Sequence, residues 1–181
     1  MKDPIIVLPY DPDWAGEFQA IGRRLRQALQ EVAIRIDHIG STSVSGLAAK
    51  PVIDIQISVR SFEPLLLFRD PLVELGYVYR ADNSDLTKRY FRESPGKRRT
   101  HIHVREHGSF AEQSALLFRD YLSAHQAAAG EYADLKSKLG ELYKHDRVRY
   151  VNEKDPFIWE TMRKANQWSQ EAGWKPAKSD C

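Results

Sequence analysis

Residues 38–56 read His38-Ile39-Gly40-Ser41-Thr42-Ser43-Val44-Ser45-Gly46-Leu47-Ala48-Ala49-Lys50-Pro51-Val52-Ile53-Asp54-Ile55-Gln56, and the fold is decided here. Ile34, Ile36 and His38 alternate with Arg35, Asp37 and Ile39, which predicts a strand over 34–39. The strand runs into a loop of small and hydroxylated residues, and Pro51 opens a second strand over 52–59. In that strand Ile53, Ile55, Ile57 and Val59 share one face, while Val52, Asp54, Gln56 and Ser58 share the other. This arrangement suits a phosphate-bearing ligand. Glycine lets the backbone approach phosphate closely, and free N–H groups with the hydroxyls of Ser41, Thr42 and Ser43 can cradle its oxygens. Asp54, on the next strand, can hold Mg2+ against the same phosphates, and Lys50 adds a positive charge. Asp37 adjoins the turn but points opposite to His38, and is left outside the site.

Working outward, Ile5 to Leu8 reads as a short strand. Asp11-Pro12 opens a helix in which Trp14, Phe18, Ile21, Leu25 and Leu29 recur at helical spacing through Gln30. Beyond the second strand, 62–75 predicts a helix stopped by Gly76, and 77–80 and 88–93 predict strands. A basic turn, Ser94-Pro95-Gly96-Lys97-Arg98-Arg99, leads into a last strand over 100–105. Helices are predicted over 110–128, 131–147 and 156–171. Strands fill the first half and helices the second, which argues an α+β protein: a mixed β-sheet backed by helices, with a helical C-terminal region. We expect one domain over 1–172 and a loose tail over 173–181, where periodicity is lost.

The chain has 181 residues, enough for a sizeable core. The net charge of +2 creates no global field toward nucleic acid or a membrane, so the expected partner is a small-molecule or nucleotide ligand. A single cysteine, Cys181, cannot form an internal disulfide. No leader-like segment opens the sequence and no apolar run approaches bilayer length, so a cytoplasmic protein is expected.

The last strand carries His101 and His103, two apart and so on one face, with Arg105 continuing it. Imidazoles ligate Zn2+ readily and do acid–base work near neutral pH. Asp54, His101 and His103 are therefore the candidate catalytic and metal-ligating residues. Gly40, Ser41, Thr42, Ser43, Lys50, Gln56 and Arg99 are the candidate ligand or phosphate contacts, Arg99 as a cation of the basic turn.

The block from His38 to Ile55 resembles the GrpB family, within the nucleotidyltransferase-fold superfamily. The likeness extends to Tyr10-Asp11-Pro12 with Trp14 and Phe18, to Arg99-Thr100-His101-Ile102-His103-Val104, to Phe118-Arg119-Asp120-Tyr121-Leu122, and to Tyr132 through Lys136 with Tyr150, Lys154, Phe157 and Ile158. It implies a mixed sheet backed by helices with a groove on its open face. It does not imply a known reaction; from the residues themselves, a divalent metal, Mg2+ at the carboxylate or alternatively Zn2+ at the imidazoles, and a nucleoside triphosphate are the expected cofactor and ligand. Active members of the superfamily present Asp-x-Asp or Asp-x-Glu, with a third acid nearby, for two metals. Here the second position is Gln56. Three functions follow as expectations: nucleotidyl transfer, a ligand-binding module with a degenerate metal site, or a histidine-dependent metal phosphohydrolase.

Overall fold

The computed structural model describes residues 4–181; residues 1–3, counted in the expected domain, lie outside them. Five strands form one sheet in the order β1-β2-β5-β4-β3: β1 (Arg35–Ile39), β2 (Ile53–Val59), β3 (Tyr77–Tyr79), β4 (Arg89–Glu93) and β5 (Thr100–Glu106). β2 and β5 run parallel and the other pairs antiparallel, so the sheet is mixed, as the alternating runs predicted.

The apolar face of β2 explains the first layer. Ile53, Ile55 and Ile57 are completely buried and pack with Trp14, Phe18, Leu25 and Leu29 of α1 (Asp13–Leu29) and Phe68 and Leu72 of α2 (Leu66–Glu74). Each such side chain contributes about 1.5–3 kcal/mol by leaving water. The opposite face is half covered by the later helices: α3 (Phe110–Ala124), α4 (Gln126–Leu142), α5 (Arg147–Asn152) and α6 (Asp155–Ala172). Their own core joins Val44 and Leu47 of the loop after β1 to Leu117, Tyr121, Leu122, Tyr132 and Ala165.

Several elements differ from the reading above. Residues 5–8 form no strand; Leu8 makes a lone bridge to Ala49 through a reciprocal pair of backbone hydrogen bonds of 2.8 and 2.9 Å. α2 starts at Leu66 rather than 62, after a turn at Ser61-Phe62-Glu63-Pro64-Leu65. The long helices break at His125, not near Gly130. His125 leaves helical geometry (φ −125°, ψ 82°) while its Nδ1 lies 2.8 Å from the Tyr121 carbonyl oxygen. Gly130 then sits inside α4.

Residues 173–181 are not loose. They run beside β1, the outer strand of the sheet, whose backbone groups have no strand partner on that side. Ile36 N donates to Ser179 Oγ (2.8 Å), Cys181 N donates to Ile36 O (3.1 Å), and His38 N donates to Asp180 Oδ2 (2.9 Å). Arg119 of α3 then ties Asp180 Oδ2 (2.8 Å) to the His38 carbonyl oxygen (3.0 Å). Buried backbone donors and acceptors need partners, and these residues supply them.

Candidate functional site

The site is built at the ends of three elements. β1 stops at Gly40, which takes φ 71° and is followed by one 3-10 turn, Ser41–Ser43. A side chain at Gly40 would meet Asp54: an ideal Cβ lies 2.8 Å from Asp54 Oδ2 and 3.0 Å from its Cβ. Glycine is required here both by the left-handed backbone and by the carboxylate pressed against it. We therefore expect Gly40→Ala to destabilise the fold by about 1–3 kcal/mol and to displace Asp54. Chemical denaturation checks this; an unchanged midpoint would mean that the turn relaxes without strain.

Register brings the charged groups together. Asp54 pairs with His101 and Gln56 with His103 across the parallel β2–β5 ladder, so all four face the same way. Asp54 Oδ1 lies 3.1 Å from His101 Nδ1 and 3.3 Å from His103 Nε2. Burial alone would raise the Asp54 carboxyl. Hydrogen bonds from the two imidazoles more than offset this and hold it well below the ordinary carboxylate range. Burial pushes His103 down to about 4, against the pull of Asp54, so its ring is neutral near pH 7. Tyr90 of β4 flanks both rings, with ring centroids 5.6 and 5.2 Å away.

A cavity of about 210 Å3 opens in front of this group. Gly40, Ser41, Thr42, Lys50, Asp54 and His101 line one side, and Tyr132, Lys136, Tyr150 and Lys154 the other. The lysine ammonium groups of Lys50 and Lys154 lie 4.9 and 4.7 Å from the centre of the Tyr150 ring, and that of Lys136 lies 4.5 Å from the Tyr132 ring. Lys136 also donates to the Ala48 carbonyl oxygen. Burial, and then the charges of Lys154 and Lys50, push Lys136 down to about 7. Burial, and then Lys154 and Arg147, push Lys50 down to about 8. Burial lowers Lys154 as well. Three cations thus crowd one hollow opposite a single carboxylate.

Not every expected residue joins them. Thr42 is buried, and its hydroxyl donates to Val52 O (3.1 Å) and meets His38 Nε2 (3.0 Å), so only its backbone faces the cavity freely. Ser43 Oγ donates to the Gly40 carbonyl oxygen (2.6 Å) and Ser43 lines a different hollow, beside Phe18 and Arg119. Arg99 stands off the cavity, 3.5 Å from Glu93. Gln56, expected in the groove, is 0% exposed. Its Oε1 accepts from Arg105 Nη1 (2.5 Å) and its Nε2 donates to the Glu112 carbonyl oxygen (3.3 Å) beneath α3. Alternation gave the correct face, but α3 covers that part of it.

Asp37 needs the opposite correction. It is in register with Gln56 and shares the face of Asp54, whereas His38 points away and stacks on Phe18 at 4.7 Å. Asp37 still lies outside the cavity, because it is fully buried and clasped by Arg35 at 2.8 and 3.0 Å.

Because Gln56 is locked in place, we expect Gln56→Glu to leave Mg2+ affinity unchanged. It also sets a carboxylate against the Glu112 carbonyl oxygen, at a cost of about 1–3 kcal/mol partly offset by Arg105. Isothermal titration with Mg2+ tests the first part. Tighter Mg2+ binding by the variant would mean that position 56 does reach the metal.

The mixed sheet, the glycine-serine turn after its first strand and the acid on the next define a nucleotidyltransferase-type fold. The Cid1 poly(U) polymerase, in a structure with MgGTP bound, superposes with a TM-score of 0.54 over 78% of this chain and 46% of its own, at 15% identity. The profile of the family described as GrpB protein matches residues 4–164, and the chain belongs to that family. It is 37% identical over 169 residues to the Bacillus subtilis protein YqkA, covering 93% of this chain but 49% of YqkA, so it spans about half of that relative. The crystal structure of GrpB from Enterococcus faecalis superposes with a TM-score of 0.82 at 34% identity, covering 90% of this chain and 99% of the other. Among the described residues no helix is long and apolar enough to cross a membrane.

Lys136, a helix cation that by its sequence could line the groove, does line it, and Lys154 is the candidate that the sequence reading missed. Lys136 falls at a core position of α4, among Tyr132, Leu139 and Gly140. A lysine at an apolar position of a helical repeat was the available signal.

Proposed function

We propose that this chain binds a nucleotide or another phosphorylated small molecule in the cavity between Gly40–Ser41 and the lysines of α4 and the α5–α6 junction. One observation carries the reading: Lys50, Lys136 and Lys154 converge on a hollow whose lining includes a single acid, Asp54, with Asp155 beside Lys154 as a further negative charge. Holding like charges together costs free energy that a polyanion recovers on binding. The open backbone at Gly40–Ser41 supplies N–H groups for the same oxygens.

Within this reading, binding without two-metal nucleotidyl transfer is favoured. Gln56 carries no charge and is engaged by Arg105 and Glu112, so the Asp-x-Asp arrangement for paired Mg2+ ions is incomplete. The test is a thermal-shift and calorimetric panel of nucleoside triphosphates, nucleoside monophosphates, coenzyme A precursors and pyrophosphate, each with and without metal, followed by product analysis. Saturable binding that falls with added salt supports the reading. Absence of binding by every phosphorylated compound sinks it. Brisk nucleotidyl transfer or phosphate release would retain the cavity but overturn the binding-only form.

A further inference from the structure

The fold family implies Mg2+ ions held by two or three carboxylates, and the residues present do not fit them. Near the cavity the donor set is one carboxylate and two imidazoles; among the described residues Asp54, His101 and His103 are the group whose donor atoms fall within 4.8 Å of one another. Mg2+ takes hard oxygen ligands and gives up its waters reluctantly, whereas imidazole selects later first-row ions. Asp37, on the same face of the sheet, is already engaged by Arg35, and Glu112 of α3 by His107 and the Gly108 N–H. A second dication would also sit among Lys50, Lys136 and Lys154, in a cavity whose lining holds no carboxylate besides Asp54.

We infer that Asp54, His101 and His103 hold one borderline transition-metal ion of the Zn2+ class, in place of paired Mg2+. The distances agree. Ligand bonds of about 2.0–2.2 Å place neighbouring donors about 2.9–3.5 Å apart around a tetrahedral or octahedral ion. Asp54 Oδ1 stands 3.1 Å from one imidazole nitrogen and 3.3 Å from the other. Two imidazoles and one carboxylate also form the protein half of catalytic zinc sites that keep positions open for water or substrate. The open side here is the lysine-walled cavity, so a bound phosphoryl oxygen could complete the ion's shell. This last point rests on the proposed function; the metal site does not.

The experiment uses the full chain, stripped of metal and titrated with Zn2+, Co2+ or Mg2+ alone, without nucleotide. We expect one equivalent of Zn2+ or Co2+ and a Co2+ adduct absorbing in the visible. Millimolar Mg2+ should fail to displace it. His103→Gln and His101→Asn should each weaken Zn2+ at least tenfold while unfolding at the wild-type temperature. His145→Gln, at an exposed histidine away from the cavity, should change nothing. Circular dichroism identifies a misfolded variant, in which case the other variant and the Co2+ spectrum decide. Two Mg2+ per chain, no Zn2+ binding, or Zn2+ binding indifferent to both histidine variants would overturn the inference. Because no phosphorylated ligand is present, its failure would leave the phosphate reading standing, and the converse also holds.

Discussion

Asp54→Asn is expected to have two opposite effects that separate the roles of the carboxylate. With metal present, ligand binding should lose its metal-dependent part, and affinity for a first-row ion should fall by about a hundredfold or more. Loss of outer-shell partners alone costs up to about that much. Without metal, affinity for pyrophosphate or a nucleotide should rise, on the order of tenfold. The reason is that Asp54 is the counter-charge of the cavity, and its field raises the pKa of both Lys50 and Lys154. Removing a unit negative charge about 6–8 Å from a phosphate relieves about 2–3 kcal/mol of repulsion at an effective dielectric of about 20, and screening by the surrounding lysines and salt reduces this to the order of tenfold in affinity. The side chain is nearly isosteric, so the fold should persist. Calorimetry with and without chelator measures both arms. Equal affinities for the variant and wild type in each condition would remove Asp54 from the site.

Lys136→Met should stabilise the ligand-free protein and cripple it as a binder. Lys136 is 3% exposed, and its folded pKa of about 7 lies below the unfolded value of 10.5. Below pH 7 the folded state carries the full cost of the buried ammonium. Between about 7 and 10.5 the unfolded chain holds the proton that the folded chain has released, so this penalty fades and stability rises with pH. Methionine removes the penalty at nearly constant volume. It leaves the Ala48 carbonyl oxygen without its donor, at a cost of about 1 kcal/mol. The net gain at pH 7 should be about 1–2 kcal/mol, shrinking toward pH 10. Affinity for phosphorylated ligands should drop at least tenfold. Urea denaturation across pH, with a binding titration, measures both. A destabilised variant that binds as well as wild type would contradict the assignment.

The strand half of the site was legible because period-two alternation fixes both the face and the register. Asp54, His101 and His103 meet because each alternates with buried Ile or Val along β2 and β5. Parity says nothing about what lies on top of a face, so Gln56 and Asp54 looked alike although α3 covers one and a cavity faces the other. The helical half was legible only as cations that could line a groove, without saying which of them would. Lys136 and Lys154 come from segments some 80 to 100 residues downstream of Asp54, and no local pattern states which sheet position a helix will cover. The helix break at His125 depends on an imidazole reaching a carbonyl oxygen four residues back, a contact that a propensity count between Ala124 and Gln126 does not register.

The segment beside β1 has a consequence for how the molecule meets others. An open sheet has two borders, each a row of unpaired amides able to recruit a foreign strand. On this protein one border, β3, spans only Tyr77–Tyr79. The other is occupied at Ile36 and His38 by Ser179, Asp180, Cys181 and the Arg119 guanidinium. The β1 border is thereby closed to strand addition, and the β3 border offers only three residues for it. The strands that assemble Asp54, His101 and His103, β2 and β5, lie inside the sheet and away from both borders.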